Sequence, residues 1–395
     1  MIRKSLISLI YEAVSIQRWN DHIRPWAGFT ELDKQAHKMF YAYILAKCEG
    51  EGAYDPLKLL EGGIFEFLHR VVLTDIKPPI YHRLMREKGA QINAWVLEQL
   101  KGQISSIKGG FSEKMAQYLQ DPEYAKKERQ ILKAAHYFAT DWEFKIIYPL
   151  NGSTYGIEQV KSEVTRGLAE CNTFRGYQIF ATSPDLQDFL SLIGKLRYQQ
   201  RWSRAVRMPQ TFVMGHMLVV AILSYFCTLE MEACDTRLTN NFFAALFHDL
   251  PEVLTRDIVS PVKASVKGLD GIIKEIEDDQ MHKVIYPLLP ADWREEIEYY
   301  TQNEFVSRIR QDGQIRHVSS AEINQSFDSV DFDPIDGEII RGCDHLSAYL
   351  EAYLSLKYGI TSEQIESGYH NLFSRYENRE IAGVDFGQLF DYFRL

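Results

Sequence analysis

The sequence predicts an all-α protein of two tandem helical domains, and three observations predict it. Apolar residues recur at helical spacing through most of the 395 residues. Blocks of residues repeat in the same order in the two halves. Strand-like alternation stands out in one stretch, near 305–318.

Taken in order, apolar stripes place helices over 3–16, 34–47, 57–68, 91–104, 124–146, 185–199, 212–230, 240–250, 267–288, 337–356 and 362–376. The exception, Phe305 to Val318, alternates apolar and polar residues around Asp312-Gly313. An Asp-Gly pair supplies the positive φ angles of a tight hairpin. Its arginines read as a solvated face. The run Phe242 to Phe247 leads into His248-Asp249, and Pro251 cannot continue that helix because it lacks an N–H. Leu250 is then a joint, and Glu252 opens a short second helix.

The length suits two domains. The chain is 46% hydrophobic, 13% aromatic and 25% charged, which are globular values. A formal net charge of −10 argues against a nucleic-acid coat or a membrane-surface protein. A phosphorylated substrate would need local arginines or a metal to offset that field. Five cysteines without a CxxC pair suit a reduced, cytoplasmic setting. No apolar run is expected to reach the ~18 residues of a membrane span. The first ten residues resemble a weak signal peptide, but Glu12 interrupts it and no small-residue cleavage site follows.

The repeat claims that opening segment for the fold. Ser8-Leu9-Ile10 precedes Gln17-Arg18-Trp19 as Ser191-Leu192-Ile193 precedes Gln200-Arg201-Trp202. His37 and His216 each begin an apolar stripe. Phe65 to Ile76 aligns with Phe247 to Ile258, and Ile131 to His136 with Ile339 to Asp344. The expected domains are therefore 1–180 and 181–395. In the first, Glu66 stands for His248, Phe67 for Asp249, Arg70 for Glu252 and His136 for Asp344. That copy is expected to keep the frame and lose the chemistry; the alternative is a metal held by His37, Glu66 and His136.

Chemistry concentrates in the second half. A carboxylate beside a buried histidine, as in His248-Asp249, is costly unless compensated. Asp344 sits within the helical stripe 337–356, near its apolar face, and metal coordination would remove the cost of burying it. The order His216, His248-Asp249, Asp344 resembles the HD-domain superfamily of metal-dependent phosphohydrolases, most closely its 5′-deoxynucleotidases. The resemblance is carried also by Arg201-Trp202, by Glu252 to Asp257, by Pro261-Val262-Lys263 and by Leu346, Ala348 and Tyr349. It spans about 195–355.

The resemblance implies particular roles. His216, His248, Asp249 and Asp344 would bind one divalent transition metal, and two imidazoles with two carboxylates suit Mn, Co, Fe, Ni or Zn alike. Glu252, with Asp249 beside it, would serve catalysis, Glu252 by moving protons. Arg201 would clamp the phosphate, Trp202 would pack at the sugar, Asp257 would accept from its 3′-hydroxyl, and Lys263 would add a phosphate contact. The family tends to place Glu and Ser around its first histidine, whereas this chain has Gly215 and Met217, so support for His216 must come from elsewhere. The implied activity is release of phosphate from nucleoside 5′-monophosphates, deoxynucleotides foremost. Two alternatives are hydrolysis of another phosphoester or nucleotide, and a non-catalytic nucleotide-binding or scaffolding module. The expected partner is a small phosphorylated compound, with no nucleic-acid polymer and no membrane.

Overall fold

Helices form nearly all of the regular structure of the chain, as its apolar periodicity predicts, with two small antiparallel β-ribbons. The computed structural model describes residues 1–26, 29–256 and 268–395. The chain divides into two compact units, Met1–Thr182 and Ser183–Leu395.

Among its described residues the first unit has the α-helices α1 (Lys4–Glu12), α2 (Glu31–Glu49), α3 (Pro56–Leu73), α4 (Pro78–Ile104), α5 (Phe111–Gln120), α6 (Lys126–Ile147), α7 (Ile157–Cys171) and α8 (Arg175–Ala181). Helix α2 packs against α6 and α8, and α6 against α3 and α7. It starts three residues earlier than the apolar stripe suggests, because Thr30 caps it by accepting from Asp33 N–H. Glu31, Asp33, Lys34, Gln35, His37 and Lys38 are all buried along it, a polar run that hides the helix start from a periodicity reading.

The second unit begins with α9 (Pro184–Ile193), which Gly194 breaks into a tighter turn over Gly194–Tyr198. Next come α10 (Val213–Glu230), α11 (Asp235–Phe247), α12 (Glu252–Thr255), α13 (Leu269–Gln280) and α14 (Ala291–Thr301). A single turn, α15 (Ser320–Glu322), precedes α16 (Gly337–Lys357), α17 (Glu363–Tyr376) and α18 (Phe386–Asp391). Helix α10 is the central element, packed on α11 and α16. Contrary to the sequence expectation, it is long and apolar enough to cross a membrane by length and composition, with mean hydropathy 1.6 over 18 residues; 94% of that window is buried inside the fold.

Helices α5, α7, α8, α14 and α18 were not among the expected ones. In α14 only Ile297, Tyr299, Tyr300 and Thr301 are buried, and charge masks the stripe. The expected helix over 267–288 ends earlier: α13 gives way to a wide π turn at Met281–Ile285, and Pro287 then enforces a short 3₁₀ turn.

The hairpin forms as the Asp-Gly pair predicts, β1 (Arg308–Gln311) against β2 (Gln314–His317), with Asp312 at φ 51° and Gly313 at φ 73°. Its arginines are not all solvated. Arg308 is only 2% exposed, and its guanidinium donates to the carbonyls of Tyr299, Tyr300, Asn303 and Val306. Burial lowers its pKa to about 10. Strand β1 also bridges Ile335, fixing the approach to α16. There Asp336 caps the helix and pairs with fully buried Arg237 at 2.6 Å.

Candidate metal centre

The HD pair sits at a joint, not within a helix. Helix α11 ends at Phe247, His248 caps its C-terminus, and a turn leads through Asp249, Leu250 and Pro251 into α12. Leu250 N–H donates to Phe247 O, and Glu252 N–H to Asp249 O. Proline cannot extend α11, so the chain bends and turns the adjacent imidazole and carboxylate to one side.

Three elements meet there. His216 is the fourth residue of α10, His248 and Asp249 come from the joint, and Asp344 from the middle of α16. His216 Nε2 lies 2.9 Å from Asp344 Oδ1 and 3.9 Å from Asp249 Oδ2, and His248 Nε2 lies 3.2 Å from Asp249 Oδ2. His216, His248 and Asp249 each offer a ligand atom within 4.8 Å of the others. Both imidazoles are almost fully buried, whereas the Asp249 and Asp344 side chains keep 18% and 19% exposure. The cluster therefore opens on its carboxylate side.

Hydrogen bonds on the far side of each ring set its orientation. His248 Nδ1 donates to Ala245 O at 2.7 Å; a carbonyl only accepts, so Nε2 carries the lone pair of the neutral ring. His216 Nδ1 lies 2.9 Å from Ser347 Oγ. Both Nε2 atoms are buried without a well-formed hydrogen bond. Burial by itself lowers the His248 pKa, and the Asp249 and Asp344 carboxylates outweigh it and raise it to about 9. Asp344 is held below the ordinary carboxylate range: burial opposes that, and His216 and His248 override it. The carboxylates thus draw positive charge to the His248 ring, and a divalent cation at Nε2 would meet the same demand.

Arg201 stands at the rim. Its Nε donates to Glu351 Oε2 at 3.1 Å, and its Nη1 lies 3.9 Å from Asp249 Oδ2. Trp202, held at φ 56°, donates Nε1–H to the same Glu351 oxygen at 2.8 Å, and its benzene edge packs on Gly368 of α17. Glu252 opens α12, its carbonyl receiving Gln199 Nε2 at 3.0 Å. Asp257 and Lys263 lie outside the described residues.

Sequence reasoning missed two residues here. Glu351, 1% exposed, also accepts from Thr211 Oγ1 at 2.5 Å. Burial would raise its pKa, but Arg201 and Arg207 lower it to about 2. Ser347 supplies the support for His216 that its neighbours Gly215 and Met217 cannot. The signal was present: Asp344, Ser347, Glu351 and Ser355 fall at i, i+3, i+7 and i+11, one polar stripe along the helix.

The first unit places its corresponding residues differently. Gln17 bridges Thr30 as Gln200 bridges Phe212, and those partners are the residues just before α2 and α10. Lys34, not His37, is the fourth residue past Thr30, as His216 is the fourth past Phe212. Lys34 Nζ contacts His136 Nδ1, and Lys38 Nζ contacts Glu66. His37 instead packs its ring on Tyr41 and Trp142. The expected alternative of a metal held by His37, Glu66 and His136 is therefore not assembled; ammonium groups occupy two of its approaches.

Residues 193–373 match the family described as HD domain. Comparison with curated proteins gives no match. That match supports membership of the HD superfamily, whose domains are in general metal-dependent phosphohydrolases that bind divalent metals. The residues present fit such an ion: His216, His248 and Asp249 each bring a ligand atom to one point, both Nε2 atoms are buried, and Asp344 lies beside His216.

Proposed function

We propose that the unit Ser183–Leu395 hydrolyses nucleoside 5′-monophosphates, deoxynucleotides foremost. The observation that carries this reading is the convergence of His216, His248, Asp249 and Asp344 beneath the Arg201 guanidinium. The four would hold a divalent ion. Such an ion, when bound, polarises a phosphoryl oxygen and acidifies water. Arg201, steadied by Glu351, offers its guanidinium to the phosphate at the open side of the cluster. Asp249 faces both imidazoles and Arg201, so it links ion and phosphate subsites. Glu252, one turn beyond Asp249, takes the proton role. Trp202 frames the sugar side, and Asp257 and Lys263 complete the substrate set on grounds of sequence alone.

A panel of phosphorylated compounds tests this reading. The expected result is metal-dependent phosphate release, fastest with deoxynucleoside 5′-monophosphates and reduced at least a hundredfold by Asp249→Ala. Equal turnover after chelation, or a clear preference for triphosphates or cyclic nucleotides, would contradict it.

We further read the two units as copies of one ancestral domain. In support, Trp19 and Trp202 share positive φ, at 58° and 56°. Each donates its indole N–H at 2.8 Å to a glutamate, Glu143 or Glu351, seven residues past His136 or Asp344. Arg18 and Arg201 pair with those same glutamates.

A further inference from the structure

The first unit has a cluster of its own at the place that corresponds to the metal centre, and its charge is reversed. Four cationic side chains gather there: Arg18, Lys34, Lys38 and Arg70. Three of them have carboxylate partners. Arg18 lies 3.0 Å from Glu31 and 2.8 Å from Glu143, Lys38 pairs with Glu66, and Arg70 lies 3.6 Å from Glu31 and 4.0 Å from Asp75. Lys34 is fully buried, and among the described residues no carboxylate lies within ion-pair reach of it; its ammonium nitrogen meets His136 Nδ1. A charged ammonium buried there would need an anion beside it.

The way in is visible in the side chains. Lys34 and Lys38 form a closed floor, whereas the Arg18, Arg70 and Glu66 side chains retain 14%, 19% and 35% exposure. An entering anion would meet Arg70 at the rim and Lys34 and His136 at the bottom. We infer that this cluster is an anion site in the first unit, taking a phosphate group either as inorganic phosphate or at the end of a small phosphomonoester. Two arginines, an ammonium and an imidazole N–H provide the donors such a group needs. Burial, with Arg18 close by, pushes the Lys34 pKa well down, and the same causes joined by Lys34 push His136 down. Both groups then take up protons as the anion arrives, so binding draws protons from solution. The inference rests on residues of the first unit alone and does not depend on hydrolysis by the second.

Calorimetric titration of the full chain, stripped of metal by a chelator that is then removed, tests it. Inorganic phosphate and a deoxynucleoside 5′-monophosphate are the two probes. One equivalent of at least one probe is expected to bind, with proton uptake seen as a buffer-dependent heat. Lys34→Met and, separately, Arg70→Gln are expected to weaken binding at least tenfold, Arg70→Gln serving if the buried substitution unfolds the chain. Tighter binding of the nucleotide would assign the site to a phosphomonoester, and equal binding to the free anion. Failure of both probes to bind folded wild-type protein would overturn the inference, and so would binding unchanged in both variants. Lys34 would then be only a built-in replacement for an ion. Loss of turnover in the second unit with this binding intact would leave the inference standing.

Discussion

Ser347 has a task at the cluster that can be separated from its place in the helix. Its hydroxyl lies 2.9 Å from His216 Nδ1, and no neighbour of His216 in sequence could replace it. A metal-facing imidazole depends on the partner of its other nitrogen, and losing such a partner typically costs ten- to a hundredfold in metal affinity. Ser347→Ala is therefore expected to weaken metal binding by about that factor while the protein stays folded, read by competition with a chromogenic chelator. Unchanged affinity would show that packing alone orients the ring. The histidines and aspartates of this cluster were legible in the sequence because their spacing is specific. Ser347 and Glu351 were not, since a serine or glutamate inside a helix reads as a surface residue until its burial is known. Lys34 was hidden for a different reason: His37 lies three residues away and offered a more obvious counterpart to His216.

At the scale of elements, the bend between α11 and α12 does what neither helix could. It lets an apolar helix end with two ligands side by side, and proline at position 251 makes that bend part of the sequence. The sequence showed the joint; it did not show that α11 stops before the pair. Helix α17 is coupled to the site through Gly368. A Cβ there would lie 2.7 Å from Trp202 Cη2, and the indole cannot swing aside without losing its bond to Glu351. Alanine for glycine inside a helix ordinarily stabilises by up to ~1 kcal/mol. At Gly368 the clash should reverse that sign, with Gly368→Ala destabilising by about 1–3 kcal/mol. Thermal or urea unfolding checks this, and a variant more stable than the wild type would place the indole elsewhere. Helices such as α14 escaped the sequence reading because only one edge of each is buried, too narrow a stripe to stand out from its charges.

Over the whole molecule, each of the two units has a polar cluster of its own. Each buries a glutamate on its later helix, Glu143 or Glu351, and fixes it with an arginine and a tryptophan from an early loop. Around that shared frame the second unit gathers imidazoles and carboxylates, and the first gathers ammonium and guanidinium groups. The all-α class and the hairpin at 308–317 were legible because periodicity and an Asp-Gly turn are local signals. The reversal of charge was not, because it depends on which side chains from distant helices meet. The most direct test of the central claim is metal analysis of the purified full chain after loading with manganese or iron and removal of excess ion. About one equivalent is expected to remain bound, to fall below a tenth in His248→Ala and Asp344→Asn, and to persist in Lys34→Met. A folded wild-type protein that retains no ion, or substitutions at His248 and Asp344 that leave the bound equivalent in place, would contradict the account.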